Sequence, residues 1–323
     1  MMTLEKGMLK LDHVLSSFTS KKHPESLYLP MDYLLGLKGK RMRPQLCLLA
    51  SLALKGDVEQ AIYPAAAIEL FHNFTLMHDD IMDKAPLRRG MQTVHAKWDV
   101  NQAILSGDAM LVEAYKMLVH GNPAHLREGM ELFNQTALEV CEGQQLDMDF
   151  ESRDDVEVDE YMHMITLKTS VLVGAALKMG ALTANATPDV QASFYDFGLS
   201  LGLAFQLRDD YLDTFGESLN TGKQLGGDIL ADKKTFLHIR TRQTANDAER
   251  ELLEYWKGES PDPIRKISVV KAIMERTGSD EALMALSNSF LDKAMSILDK
   301  LELEDEGKNM LASLSEYVTS RQH

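Results

Sequence analysis

The stretch Phe71-His72-Asn73-Phe74-Thr75-Leu76-Met77-His78-Asp79-Asp80-Ile81-Met82-Asp83 ends an apolar run in a DDxxD pattern. Far downstream, Leu203-Ala204-Phe205-Gln206-Leu207-Arg208-Asp209-Asp210-Tyr211-Leu212-Asp213 repeats it in matching surroundings. Both copies read as helix. Residues one turn apart share a helix face, so Asp79 projects with Asp83 and Asp209 with Asp213. Like charges at that spacing repel unless cations sit between them. Mg²⁺ favours carboxylate oxygens and keeps several waters and substrate phosphates in its shell. Two such acidic faces point to a clamp that holds an anionic phosphate ligand through Mg²⁺.

Acidic runs are often only solvated helix faces. The cluster Asp154, Asp155, Glu157, Asp159 and Glu160 serves as an internal control. It has no flanking apolar run and reads as a loop leading into a helix start. The DDxxD copies differ from it, because their acids sit beside residues patterned for burial.

The chain has 323 residues, 45% of them hydrophobic, which is ample for a large core. Its periodicity is close to 3.6 nearly throughout, and no run alternates as a strand would. No linker or low-complexity tract divides it. The expectation is one all-α domain over residues 1–323. The 49 acidic residues outnumber the 34 Lys and Arg, giving a net charge of −15, which argues against general nucleic-acid binding. Cys47 and Cys141 lie in apolar helical contexts and read as buried reduced thiols. No N-terminal signal core and no apolar run of spanning length is evident, so a cytoplasmic protein without stable membrane insertion is expected.

An acidic protein that binds an anion must do so with local cations. Gly39-Lys40-Arg41-Met42-Arg43-Pro44 precedes an apolar helix, and Arg88-Arg89-Gly90 follows the first acidic motif. Lys168-Thr169 interrupts Met164-Ile165-Thr166-Leu167…Leu177, where a lone lysine needs a partner. Lys223 and Lys233 flank Gly226-Gly227-Asp228. At about 100° per residue, His72, Thr75, Leu76, Asp79 and Asp83 share a face, beside a band of Ile68, Phe71, Phe74 and Met77. Gln206, Asp209, Asp210 and Asp213 share another. A pocket with metal and cations at its mouth and apolar walls below suits a diphosphate head on a hydrocarbon tail.

Taken in order, GKRMRP, ELFHNFTLMHDDIMD, RRG, SGDAML, GQQLD, LKTS, FQLRDDYLD and GK-GGD-DK resemble the trans-isoprenyl diphosphate synthases, the polyprenyl synthetase family. The resemblance covers roughly the central two-thirds of the chain. It implies a single large bundle of antiparallel helices around a deep central cavity, paired as a homodimer. It implies three Mg²⁺ per active site, bound by Asp79, Asp80 and Asp83 and by Asp209 and Asp213, with Asp210 in support. It assigns Arg88, Lys168, Lys223 and Lys233 to the allylic diphosphate (dimethylallyl, geranyl or farnesyl). It assigns Lys40, Arg43, His72 and Arg89 to isopentenyl diphosphate. Thr169 and Gln206, with Lys168, would line the reacting carbon.

The implied activity is head-to-tail prenyl transfer, in which the acids place metal charge rather than move protons. Phe74 lies about 7 Å and Phe71 about 12 Å below Asp79 along the helix axis. One aromatic near the motif, small Thr75 beside it and no insertion resemble enzymes of geranylgeranyl type, so a C20 product is expected ahead of C15. Two alternatives remain at this point: a terpene cyclase, and a noncatalytic subunit of a heteromeric synthase. The second DDxxD and the isopentenyl-site residues argue against the first, and the intact aspartates against the second. Arg321 near the C-terminus is a further candidate, with no sequence signal to place it.

Overall fold

The computed structural model describes residues 3–17, 22–37, 39–216 and 225–319, with side chains to residue 316. Lys223 and Arg321 therefore lie outside the described residues. In chain order the helices begin with α1 (Leu4–Ser17), α2 (Glu25–Gly36), α3 (Met42–Ala53) and α4 (Val58–Met82). A hairpin, β1 (Leu87–Arg88) and β2 (Met91–Gln92), leads to α5 (Val94–Lys97), α6 (Val100–His120) and α7 (Pro123–Glu151). Then come α8 (Val158–Ile165), a π-helical turn (Thr166–Ser170), α9 (Val171–Thr183) and α10 (Pro188–Phe215). The chain finishes with α11 (Gly227–Leu230), α12 (Phe236–Thr244), α13 (Asp247–Tyr255), α14 (Pro263–Arg276), α15 (Ser279–Lys300) and α16 (Asp305–Thr319).

Two compact units share these elements. The first comprises Met1–Ala137, Leu172–Tyr195 and Leu301–Leu311; the second comprises Leu138–Val171, Asp196–Lys300 and Ala312–His323.

In the first unit α4 is the central helix, packed against α1, α3 and α6. Its start is fixed by Asp57, whose side chain accepts the Glu59 N–H at 3.1 Å. Ala61, Ala65, Ala66, Ala67, Ile68 and Leu70 are buried around much of its circumference, as a helix surrounded by others requires. Small residues let neighbours close in. A Cβ on Gly180 of α9 would stand 2.1 Å from the Cys47 carbonyl oxygen of α3. In the second unit Phe150, Tyr161, Leu207, Phe236 and Leu283 belong to one apolar core. Paired caps start its shorter helices: at α13 the Asn246 side chain accepts the Glu249 N–H and Glu249 accepts the Asn246 N–H.

Three sequence expectations change. A short hairpin exists where no strand was expected, pairing Leu87 with Gln92 and Arg88 with Met91. Its turn residues, Arg89 (φ 53°) and Gly90 (φ 76°), are both left-handed, as a two-residue hairpin turn demands. Cys47 is fully buried, and burial pushes its thiol pKa up, but Cys141 stands exposed on α7 beside Leu138. The apolar neighbours of Cys141 in sequence occupy other faces of the helix. Finally, Val158–Thr183 is long and apolar enough to cross a bilayer, contrary to expectation. Its most apolar window is 72% buried in the fold, so core packing accounts for its composition. The acidic control cluster behaves as expected: Asp154 and Asp155 precede α8, and Glu157 is its N-cap.

Candidate active site

The first acidic motif ends α4, with Asp83 as the residue after its last turn. Asp79 is half-buried and Asp83 exposed, whereas Asp80 is only 2% exposed. Arg88 grips Asp80: its Nε lies 2.9 Å from both carboxylate oxygens and its Nη2 2.8 Å from Oδ1. Burial raises the Asp80 pKa, and the Arg88 guanidinium opposes that shift. The hairpin that carries Arg88 is itself tied down. Thr93 Oγ1 donates to the Ala85 carbonyl at 2.7 Å, and the Tyr33 hydroxyl donates to the Gln92 carbonyl at 2.8 Å.

The cations expected to meet isopentenyl diphosphate cluster in the same unit. Arg43 on α3 reaches His72 Nε2 on α4 at 3.0 Å. Burial holds the His72 pKa well below its ordinary value, and the charges of Arg43, Arg89 and Arg88 depress it further. His72 is thus neutral at neutral pH and can accept from Arg43. Arg89 Nη1 donates to the Leu37 carbonyl at 2.9 Å, and its guanidinium lies where a Gly39 side chain would stand. A Cβ at position 39 would have to displace that guanidinium. Lys40 is exposed, with its carbonyl accepting from Gln45 Nε2.

In the second unit the π-helical turn carries Lys168 and Thr169. Such single turns widen a helix and recur at functional sites. Two glycines bring backbones against it. A Cβ on Gly143 of α7 would fall 2.3 Å from the Lys168 nitrogen, and one on Gly202 of α10 would fall 2.7 Å from the Ser170 Cα. One helical turn beyond each glycine lies the residue that meets the π-turn. Asp147 accepts from Lys168 Nζ at 2.6 Å, which supplies the partner this lysine needs. Gln206 Oε1 accepts from Thr169 Oγ1 at 3.0 Å. Gln206 Nε2 in turn donates to Asp210 Oδ1 at 2.9 Å, and the Tyr161 hydroxyl donates to Asp210 Oδ2. Burial raises the Asp210 pKa, and the nearby Asp228 charge adds to it.

The middle aspartate is thus buried and held by protein donors in both motifs. Asp209 and Asp213 are half-buried. The glycine pair folds a loop back onto Asp213: its Oδ2 accepts the Asp228 N–H at 2.9 Å and its carbonyl accepts the Gly226 N–H at 2.7 Å. Gly226 sits at φ 75°, a conformation glycine adopts without strain. Lys233 follows in the same loop, its N–H bonded to the Asp228 carbonyl. Among the described residues no three His, Cys, Asp or Glu converge as a ready-made metal cage.

Asp147 and Tyr161 were not picked out as site residues from the sequence. Asp147 was within reach, since an apolar-flanked lysine requires a carboxylate and GQQLD supplies one. Tyr161 carries no such signal. On α4, Phe71 is 1% exposed and packs edge-on against Phe133 at 5.3 Å, so it is a core residue. Phe74 is half-buried and meets His78 edge-on at 4.7 Å.

A family model described as polyprenyl synthetase matches residues 24–275. The chain belongs to the polyprenyl synthetase family. It is 37% identical over 301 residues to a short chain isoprenyl diphosphate synthase of Methanothermobacter thermautotrophicus, covering 93% of this chain and 92% of that one. It is 35% identical over 315 residues to a geranylgeranyl diphosphate synthase of Methanosarcina mazei, covering 97% and 95%. The crystal structure of a geranylgeranyl pyrophosphate synthase superposes with a TM-score of 0.94 at 44% identity, covering all of both chains. As a polyprenyl synthetase the protein is all-α and a trans-prenyltransferase.

Proposed function

We propose that this prenyltransferase condenses isopentenyl diphosphate with an allylic diphosphate, head to tail, to give an all-trans C20 diphosphate, with C15 the shorter alternative. The observation that carries the reading is the cation cluster of Arg43, Arg88 and Arg89 around neutral His72, on the segment that ends in Asp79 and Asp83. Cations beside an acidic motif fit a diphosphate that is held partly by protein and partly through metal. The relatives named as geranylgeranyl and short chain synthases support the substrate class, and the geranylgeranyl name supports the C20 length.

The donor set fits Mg²⁺. Asp79, Asp83, Asp209 and Asp213 are carboxylates that the fold leaves half-buried or exposed, and Mg²⁺ takes one or two carboxylates and completes its shell with waters and phosphate. We assign three ions to the site. When bound, Mg²⁺ supplies positive charge that neutralises the departing diphosphate. Lys233, with Lys223 and Arg88, would hold the allylic diphosphate. Lys40, Arg43, His72 and Arg89 would hold isopentenyl diphosphate. Lys168, fixed by Asp147, adds a positive charge beside the leaving group. Thr169 and Gln206 turn oxygen dipoles toward the carbon that becomes positive. The proton released after carbon–carbon bond formation passes to the diphosphate, so no side chain need act as base.

We further propose one functional domain, a cytoplasmic location and a homodimer. Two free cysteines suit a reducing compartment. On α6, Leu105, Val112 and Val119 recur every seven residues and are each about 60% exposed, a stripe that a helix of a second copy would cover.

The test is incubation of purified protein with Mg²⁺, isopentenyl diphosphate and each allylic diphosphate in turn, with products resolved by chain length. Condensation ending chiefly at C20 is expected. Cyclised hydrocarbon, or no condensation with any primer, would overturn the reading.

A further inference from the structure

We propose that Tyr161 is a positioning residue for the transfer reaction, setting the direction in which the Thr169 hydroxyl points its dipole. The inference rests on the function proposed above and adds to it a residue and a mechanism of orientation.

The four residues form one hydrogen-bonded line within the second unit. Tyr161 is 1% exposed and among the largest fully buried side chains, and its hydroxyl donates to Asp210 Oδ2. Gln206 Nε2 donates to Asp210 Oδ1 at 2.9 Å. Thr169 Oγ1 donates to Gln206 Oε1 at 3.0 Å. The sense of the line is set at Asp210, where the Tyr161 hydroxyl takes Oδ2 and the Gln206 NH₂ donates to Oδ1. Gln206 must therefore turn its NH₂ toward Asp210 and its carbonyl toward Thr169. The single hydroxyl proton of Thr169 is then committed to Gln206, and the threonine presents lone pairs on its remaining side. With the amide reversed, Thr169 would accept from Gln206 and present its proton instead. A lone pair stabilises a developing carbocation and a proton opposes it, so the reaction depends on the sense of the line.

Tyr161 fixes that sense by holding Asp210 in place. Its hydroxyl occupies the second carboxylate oxygen, leaving the first for Gln206. Side-chain rotation of Asp210 would otherwise release the amide. The π-turn brings Thr169 onto this line, and Gly202 lets α10 approach closely enough for Gln206 to reach it. Tyr161 itself is buried and acts through Asp210.

The experiment is a kinetic cycle of Tyr161→Phe, Thr169→Val and the double variant, with Thr169→Ser as the conservative control. Tyr161→Phe is expected to lower kcat about ten- to fifty-fold while KM for both substrates stays within about twofold. The double variant should be no slower than Thr169→Val alone, since both break the same line. Thr169→Ser, which keeps the hydroxyl, should return to within about threefold of the parent. In the metal-free protein, Tyr161→Phe and Gln206→Met should lower the melting temperature less than additively, a readout independent of turnover. Unchanged turnover in Tyr161→Phe, multiplicative losses in the double variant, or Thr169→Val as fast as Thr169→Ser would each overturn the inference alone. A parent protein that makes no condensation product overturns the proposed function, and this inference with it.

Discussion

Arg88 closes a fork on Asp80, with Nε 2.9 Å from each carboxylate oxygen and Nη2 2.8 Å from one of them. Asp80 is 2% exposed, so the arginine is what makes burial of that charge tolerable. Arg88→Met should therefore destabilise the protein by about 3 kcal/mol, the low end for breaking a buried pair, since Arg88 is itself about a quarter exposed. Adding Asp80→Asn should recover much of that loss. Urea unfolding of the parent, the single and the double variants measures both steps. A double variant less stable than Arg88→Met would contradict the pairing.

The outer aspartates should behave differently. Asp79→Ala and Asp83→Ala are expected to lower turnover by about two to three orders of magnitude, with melting temperature held or raised. Circular dichroism and steady-state kinetics across a Mg²⁺ titration check this. Near-normal turnover in either variant would remove its metal role.

The two cation sets should separate kinetically. Arg43→Ala should raise KM for isopentenyl diphosphate at least about tenfold more than KM for the allylic substrate, and Lys233→Ala should do the reverse. Equal effects on both substrates would dissolve the division into two sites.

His238 gives stability a defined pH dependence. Burial, with the charges of Lys234 and Arg242, pushes its pKa down to about 4. Above the ordinary value of about 6.5 it is neutral both folded and unfolded. As pH falls from about 6.5 toward 4, only the unfolded chain takes up the proton, so stability falls by up to about 3 kcal/mol. His238→Gln should flatten that part of the stability curve measured by urea unfolding between pH 7 and 4.5. An unchanged slope would mean that other groups dominate; half-buried, neutral His72 contributes with the same sign.

The pocket floor can be read through Phe74. Phe71→Ala should cost about 3–5 kcal/mol, because Phe71 lies in the core against Phe133. Half-buried Phe74 should cost less when truncated, and its loss should lengthen the product by at least one five-carbon unit. Thr75→Phe should shorten it. Product chain length by chromatography decides, and unchanged products from both Phe74→Ala and Thr75→Phe would mean that the tail runs along a different wall.

The helical fold was legible because α4 and α10 are long, largely apolar stretches without strand-like alternation that run up to their acidic ends. The grouping of Arg43, His72 and Arg89 was legible only through the family pattern, since residues 43, 72 and 89 meet by packing rather than by spacing. The hairpin at Arg88 escaped because two-residue strands leave no alternation to read. The exposure of Cys141 escaped because an apolar neighbourhood in sequence says nothing of which helix face a residue takes. Tyr161 was invisible for a deeper reason. Its role is to satisfy Asp210 across forty-nine residues of chain, and no local pattern records a partnership of that kind.

Metal placement with substrate bound decides whether both acidic motifs work through Mg²⁺. Crystals grown with Mn²⁺ in place of Mg²⁺ and a non-reactive allylic thiodiphosphate would reveal the ions by anomalous diffraction. Mn²⁺ is expected on Asp79 and Asp83 and also on Asp209 and Asp213, with diphosphate oxygens completing the shells of the ions. Ions at only one motif, or a diphosphate bound without metal, would contradict it.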